Sequence, residues 1–328
     1  MAKTRSLAGN SALLDIIRNQ YGIEQLRNEF HNQYWKNPDS AIGMLNDDRL
    51  KFPTLFLLQP EIAKLDLDTK LTLRNRTALD ISREFISDHK SGAFRYHYAY
   101  RTVLQWMFKT GYKEAGLGDE YDAVMDFTAI LLVREIHDKS CLPMLEEMIF
   151  ERHRKGSYTY DAEWALFESK DPDCISLVAK RLLSNDRRDV ELAKKMLAFI
   201  PCFDFNNNEP AKLYNCVLGW LNQNRPYLRY TGENNQKGTV PCPYEVSLEA
   251  KYYQMPYSGP GDINQLPYAD LMRLKRFDEL DMKTKVMLSN FSDLLQKSST
   301  QQWQKWMSGS LQSQIETANS ILGEGAIR

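Results

Sequence analysis

Apolar residues recur at three- and four-residue spacing along most of the chain, and alternating Val/Ile/Thr runs bounded by turn residues are few. That period sets one stripe of each segment toward a core and predicts an all-α protein. The first helix is expected after Ser11, carrying Leu13, Leu14, Ile17, Tyr21 and Ile23, with a continuation through Leu26 and Phe30 beyond Gly22. Pro38 and Pro53 punctuate the chain next. LDLDTKLTLRNRTALDISREFISDH then reads as a helix capped by Asp68 or Thr69, with Leu71, Ala78, Ile81 and Phe85 inward and Ser91-Gly92 closing it.

From Asp119 to Gln223 the pattern predicts shorter helices, roughly 10 to 16 residues, joined by tight polar turns, the proportions of stacked helical hairpins. Tyr121-Asp122-Ala123 and Tyr160-Asp161-Ala162 open two of them. SCLPMLEEMI from Ser140 and DCISLVAKRLL from Asp173 read as matching second helices, with Cys141 and Cys174 in register. A third hairpin pairs DRRDVELAKKMLAFIP with EPAKLYNCVLGWLNQ, where Val190, Ala193, Leu197 and Ile200 form a stripe widened by Leu192, Met196 and Phe199. This stretch resembles HEAT-type helical repeats, above all in DPDCISLVAKRLLSNDRRDVELAKKMLAFIP with its polar turn and basic, Ala-containing helix. The resemblance covers roughly a third of the chain. It implies an irregular solenoid or binding scaffold and assigns no catalytic residue.

Beyond Gln223 the composition shifts. Pro226, Pro241, Pro243, Pro256 and Pro260 leave little room for long helices, while six tyrosines supply more aromatic surface than a flexible linker would carry. An extended Tyr/Pro-rich arm over 224–262 is expected, laid on the helical body or on a neighbouring subunit. Two C-terminal helices follow. One spans about Leu266 to Gln296 with Leu274, Leu280, Met287 and Leu294; the other spans about Thr300 to Leu322 with Trp303, Met307, Leu311, Ile315, Ala318 and Leu322, weakened at Ser308-Gly309-Ser310. The chain thus reads as four segments: 1–118 helical, 119–223 repeat-like, 224–262 the arm, and 263–328 the C-terminal helices.

Composition narrows the classes. A hydrophobic fraction of 43% and a charged fraction of 26% in 328 residues describe a soluble globular protein rather than a disordered or fibrous one. With 42 Lys+Arg against 43 Asp+Glu the net charge is -1, so no wide basic field for nucleic acid or acidic membranes exists. The N-terminal apolar run is broken by Gly9, Asn10 and Ser11, and the longest apolar run, Ala129 to Val133, is far short of a membrane span. Five cysteines, widely spaced and without a CxxC pair, suggest neither a disulfide framework nor a zinc knuckle and point to a reducing, cytoplasmic setting.

Catalytic and cofactor signatures do not emerge. Gly116-Leu117-Gly118 lacks the third glycine of a dinucleotide loop, Lys237-Gly238-Thr239 lacks the upstream glycine of a P-loop, and Ser258-Gly259 and Ser308-Gly309-Ser310 lack the nucleophile-elbow frame. Metal ligation needs donors three or four apart on one helix face; Glu29/His31 and Glu135/His137 are two apart, and a turn separates His137 from Cys141. No catalytic residue, cofactor or metal is therefore expected. Adjacent acids such as Glu146-Glu147 and Asp47-Asp48 have the pattern of a solvated face.

Two kinds of binding residue remain. Arg152, Arg154, Lys155, Arg187 and Arg188 would form a local phosphate-binding ridge if the repeats align them, although Asp186, Asp189 and Glu191 interrupt it. Phe94, Tyr98, Arg101 and Trp106 have helical spacing and read as packing before base stacking. Tyr244, Tyr252, Tyr253, Tyr257, Trp303 and Trp306 are the candidate anchors for a protein partner or self-association. The expected function is a non-catalytic scaffold or adaptor within a protein assembly. The alternative is a nucleic-acid-associated helical protein using the basic ridge, and an enzyme assembled from distant segments stays open.

Overall fold

Helix breakers and caps in the sequence set the element boundaries. The structure, a computed structural model, describes residues 11–87, 99–114, 117–201, 209–233, 241–257 and 268–322. Within these lie seventeen α-helices and one two-stranded antiparallel ribbon. None of the helices among the described residues is long and apolar enough to cross a membrane. The all-α expectation holds. The chain divides into two compact units, Met1–Leu177 with Asn185–Leu192, and Val178–Ser184 with Ala193–Arg328.

The first unit begins with α1 (Leu13–Lys36), α2 (Pro38–Leu45), α3 (Phe52–Leu57), α4 (Gln59–Lys64), α5 (Leu73–Ile86) and α6 (Tyr100–Gly111). Pro38 and Pro53 open α2 and α3, where a missing N–H costs nothing. Gly22 breaks α1 with φ 84°, a value that an L side chain rarely adopts. Leu14, Ile17, Leu26 and Phe30 are buried, whereas Leu13 and Tyr21 are exposed. The helix expected from Asp68 instead starts after Thr72, because residues 68–70 close a 3₁₀ turn first.

There follow α7 (Asp119–Arg134), α8 (Leu142–Lys155), α9 (Tyr160–Glu168), α10 (Asp173–Arg181), α11 (Arg187–Met196) and α12 (Pro210–Asn224), close to the predicted lengths. The division between units runs through α10 and α11. Helix α7 packs on α5, α6 and α9, and α8 packs on α9. Gly156, left-handed at φ 74°, ends α8 and sends the chain directly into α9. Behind α7 the core is aromatic. Phe52 stacks on Tyr121 with centroids 5.9 Å apart, Phe56 meets Tyr121 edge-on at 5.2 Å, and the Arg74 guanidinium covers Trp106 at 4.4 Å. Tyr121 donates a 3.0 Å hydrogen bond to the Gly111 carbonyl, an approach that the absent Cβ permits.

The second unit holds α12, the ribbon β1 (Leu228–Tyr230) and β2 (Tyr244–Val246), α13 (Leu248–Tyr252), α14 (Tyr268–Asp278), α15 (Met282–Ser298), α16 (Thr300–Met307) and α17 (Leu311–Leu322). In the ribbon, Leu228 pairs with Val246 and Tyr230 with Tyr244. The expected arm is therefore partly folded into regular structure: α13 packs on α15, with Ser289 and Ser292 of α15 donating to the Leu248 and Tyr252 carbonyls at 2.8 and 2.6 Å. The helix expected over 266–296 is two, because Asp281 accepts from the Thr284 amide at 3.0 Å and caps a new helix. The last helix splits at the predicted Ser308-Gly309-Ser310 weakness.

Tyr252, Phe277, Phe291 and Trp306, with Met287 and Leu288, form the core of this unit. Burying each contributes roughly 1.5–3 kcal/mol. Cys141, Cys174 and Cys242 are not in disulfides, whereas Cys216 is disulfide-bonded, a link that the cysteine spacing did not indicate. Ser91, Gly92, Phe94, Tyr98, Gly116, Lys237-Gly238-Thr239 and Ser258-Gly259 lie outside the described residues.

Candidate binding site

The two Tyr-Asp-Ala triplets begin neighbouring helices, and the packing of α7 on α9 brings their aspartates to one place. Asp122 and Asp161 line a cavity of about 300 Å³ in the first unit, together with Asp119, Asp126, Phe85, Phe127 and Tyr158. Each wall has a local cause. Asp119, Asp122 and Asp126 recur at three and four spacing, so one face of α7 presents all three. Phe85 ends α5 and stacks on Phe127 with centroids 4.6 Å apart. Tyr158 follows the Gly156 turn and is 65% exposed, which makes it a rim rather than a floor.

A single guanidinium sits behind the acids. Arg152 of α8 is 1% exposed; its Nη1 donates to Asp126 Oδ1 at 2.6 Å, and its Nη2 donates to the Asp122 carbonyl at 3.0 Å and lies 3.6 Å from Asp122 Oδ1. Burial pushes the Asp126 carboxyl up to about 6, with Asp161 and Asp122 adding to the rise and Arg152 opposing it. At neutral pH the carboxyl is ionised and paired. Asp119 and Asp161 are exposed and, among the described residues, carry neither an ion pair nor a side-chain hydrogen bond. The wall thus holds four carboxylates against one buried guanidinium, and the aromatic rings lower the local dielectric around them.

A second cavity, about 390 Å³, adjoins the first and shares Asp119 with it. Its walls include Phe56, Leu57, Pro60, Ile86 and Leu117, with Arg27, Gln59 and Glu120 as polar members. Among the described residues, no group of three or more His, Cys, Asp or Glu side chains is placed to hold a metal ion.

Of the binding residues singled out from the sequence, Arg152 alone touches the residues of this cavity. Of the basic positions, Arg152 is buried in the α7–α8 pair and offers a phosphate nothing. Arg154 binds Asp189 at 2.9 Å, Lys155 binds Glu151 at 2.9 Å, Arg187 binds Glu191 at 2.8 Å, and Arg188 reaches Asp186 at 3.4 Å and the Arg154 carbonyl at 2.5 Å. Each positive charge is met by a carboxylate, which opposes an open ridge. Arg101 is exposed, and Trp106 packs edge-on against Phe52 at 6.1 Å.

The aromatic positions converge inside the second unit. Tyr244, Tyr252, Tyr253 and Trp306 are buried; Tyr257 and Trp303 are half-buried, their N–H groups donating to the Pro226 carbonyl at 2.7 Å and to Ser292 Oγ at 2.8 Å. Tyr252, Tyr253 and Trp306 belong to the core of their own unit, with Trp303 packed against it. The acidic cavity escaped notice because its aspartates read as helix openers. The signal was the aspartate shared by both triplets.

No family model, curated protein or solved structure matches this chain.

Proposed function

We propose that the protein is a helical scaffold or adaptor that docks a protein partner, and that the cavity between α7 and α9 receives a cationic side chain of that partner. One observation carries the reading: four aspartates, two of them unpaired, line a cavity walled by Phe85, Phe127 and Tyr158. A lysine or arginine side chain matches both halves of such a wall. Its methylene stem lies against the rings while its charged end meets the carboxylates, with cation–π attraction available at Tyr158. In this reading α7–α8 and α9–α10 are HEAT-like hairpins whose lateral packing holds the two triplets in register. The alignment of Cys141 and Cys174, each buried at the start of its second helix, supports it.

The test is fluorescence anisotropy of a labelled peptide of lysines spaced by glycines, titrated with the full chain. Binding is expected to weaken about tenfold in Asp119→Asn/Asp161→Asn, which removes two charges without touching the Arg152 pair, and to fall with added salt. Equal binding by the variant and the parent would overturn the reading.

A further inference from the structure

We infer that the acidic cavity and its neighbour form one recognition groove for a partner segment that carries a basic residue beside an apolar one. This rests on the proposed function above and adds the second half of the ligand. The two cavities meet at Asp119, and chain neighbours divide between them: Phe85 lines one and Ile86 the other, Asp122 one and Tyr121 the other. On the α9 side the polar groups are the carboxylates and the Tyr158 hydroxyl, while on the α3–α4 side Phe56, Leu57, Pro60, Ile86 and Leu117 offer apolar surface beside Arg27, Gln59 and Glu120. Ile86 is 39% exposed at the end of α5, an isoleucine left in water beside the acids.

Charge complementarity names the occupant. Asp119, Glu120 and Asp161 outnumber the one cation of the lining, Arg27, whose Nη2 donates to the Leu57 carbonyl at 3.5 Å, so the groove repels an acidic segment and attracts a basic one, whereas its apolar residues gain only if an aliphatic or aromatic side chain covers them. An extended chain rises about 3.3 Å per residue, so adjoining cavities are reached by side chains one to three positions apart. A polyanion such as nucleic acid would meet the same carboxylates and be repelled.

The experiment uses the full chain and three labelled peptides of equal length. One contains two Lys-Lys-Leu-Leu repeats, the second has glutamine in place of each leucine, and the third has glutamate in place of each lysine. The first is expected to bind at least tenfold more tightly than the second, and the third to bind not at all. Ile86→Gln, a surface change, should remove that tenfold gain and leave the glutamine peptide unaffected; Asp119→Asn/Asp161→Asn should weaken both basic peptides. If the two basic peptides bind equally and depend on Asp161, the apolar half is overturned while the cationic cavity stands. If neither depends on Asp161, the proposed function itself fails. If the glutamate peptide binds as well as the first, the groove is apolar only and charge plays no part.

Discussion

Arg152 Nη1 lies 2.6 Å from Asp126 Oδ1, and this ion pair between α8 and α7 is closed off from water on the arginine side, where the side chain is 1% exposed. Together with the Nη2 bond to the Asp122 carbonyl, it ties α8 to two successive turns of α7. It also anchors the acidic cavity from behind. Its removal tests structure, whereas removal of Asp119 or Asp161 tests binding.

Arg152→Ala strands the Asp126 carboxylate and should cost the first unit about 3–5 kcal/mol. Replacing the pair together, with Arg152→Met and Asp126→Leu, should recover most of that loss. Urea unfolding of the three proteins checks the order; a double variant no more stable than Arg152→Ala would contradict it.

The pH profile of stability should carry the mark of Asp126. Its carboxyl stands at about 6 in the folded chain against 3.8 in the unfolded one, raised chiefly by burial. Between these values the folded state binds more protons than the unfolded state, so this group's contribution falls as pH rises from about 4 to about 6 and is flat above. The slope is of order 1 kcal/mol per pH unit. Asp126→Asn should abolish that component, as measured by urea midpoints across the window.

Lys251 predicts an opposite slope at alkaline pH. Its side chain is 1% exposed, its Nζ donates to Asn224 Oδ1 and Asn290 Oδ1, both at 2.7 Å, and burial lowers its pKa from 10.5 to about 8. Asp293 opposes the shift and Lys297 assists it. Above pH 8 the folded amine is neutral while the unfolded one stays charged, so this contribution to stability rises from about pH 8 to about 10. Lys251→Met should flatten the profile there, read by thermal melts at matched ionic strength.

Trp306→Ala should destabilise the second unit by roughly 3–5 kcal/mol. The indole meets Tyr252 edge-on at 5.9 Å and Phe291 at 5.2 Å, and its loss leaves a cavity that these rings cannot close. Near-UV circular dichroism and denaturant unfolding check it. Unchanged stability with lost partner binding would return Trp306 to the role of an interface anchor.

Gly111→Ala should cost about 1–3 kcal/mol by overpacking. A Cβ there would lie 2.5 Å from the Tyr121 hydroxyl and 2.9 Å from Met125 Sδ, forcing α6 from α7. Tyr121→Phe removes the near atom, so Gly111→Ala should cost less in that background. Unfolding of the double-mutant cycle measures the coupling.

Local signals were legible wherever they acted within a few residues. Gly22 breaks α1, Pro38 and Pro53 start helices, and Ser308-Gly309-Ser310 separates α16 from α17, each through its own backbone preference. The caps were less legible, since Asp281 and Thr72 compete with nearby alternatives that only the docked helix decides between. Charges misled most. Arg152 reads in sequence as part of the surface run Arg152-His153-Arg154-Lys155, yet it is the one member of that run turned inward.

By itself the sequence determined the helical class, the breaks at Gly22 and Ser308-Gly309-Ser310 and the paired triplets, because periodicity and turn chemistry act along the chain. Tertiary structure alone decided which aspartates share a cavity, that Arg152 backs them, and that Tyr252, Tyr253 and Trp306 fill a core. Those outcomes depend on contacts between residues far apart in sequence, where burial and charge pairing are set by which helix faces meet and not by any local pattern.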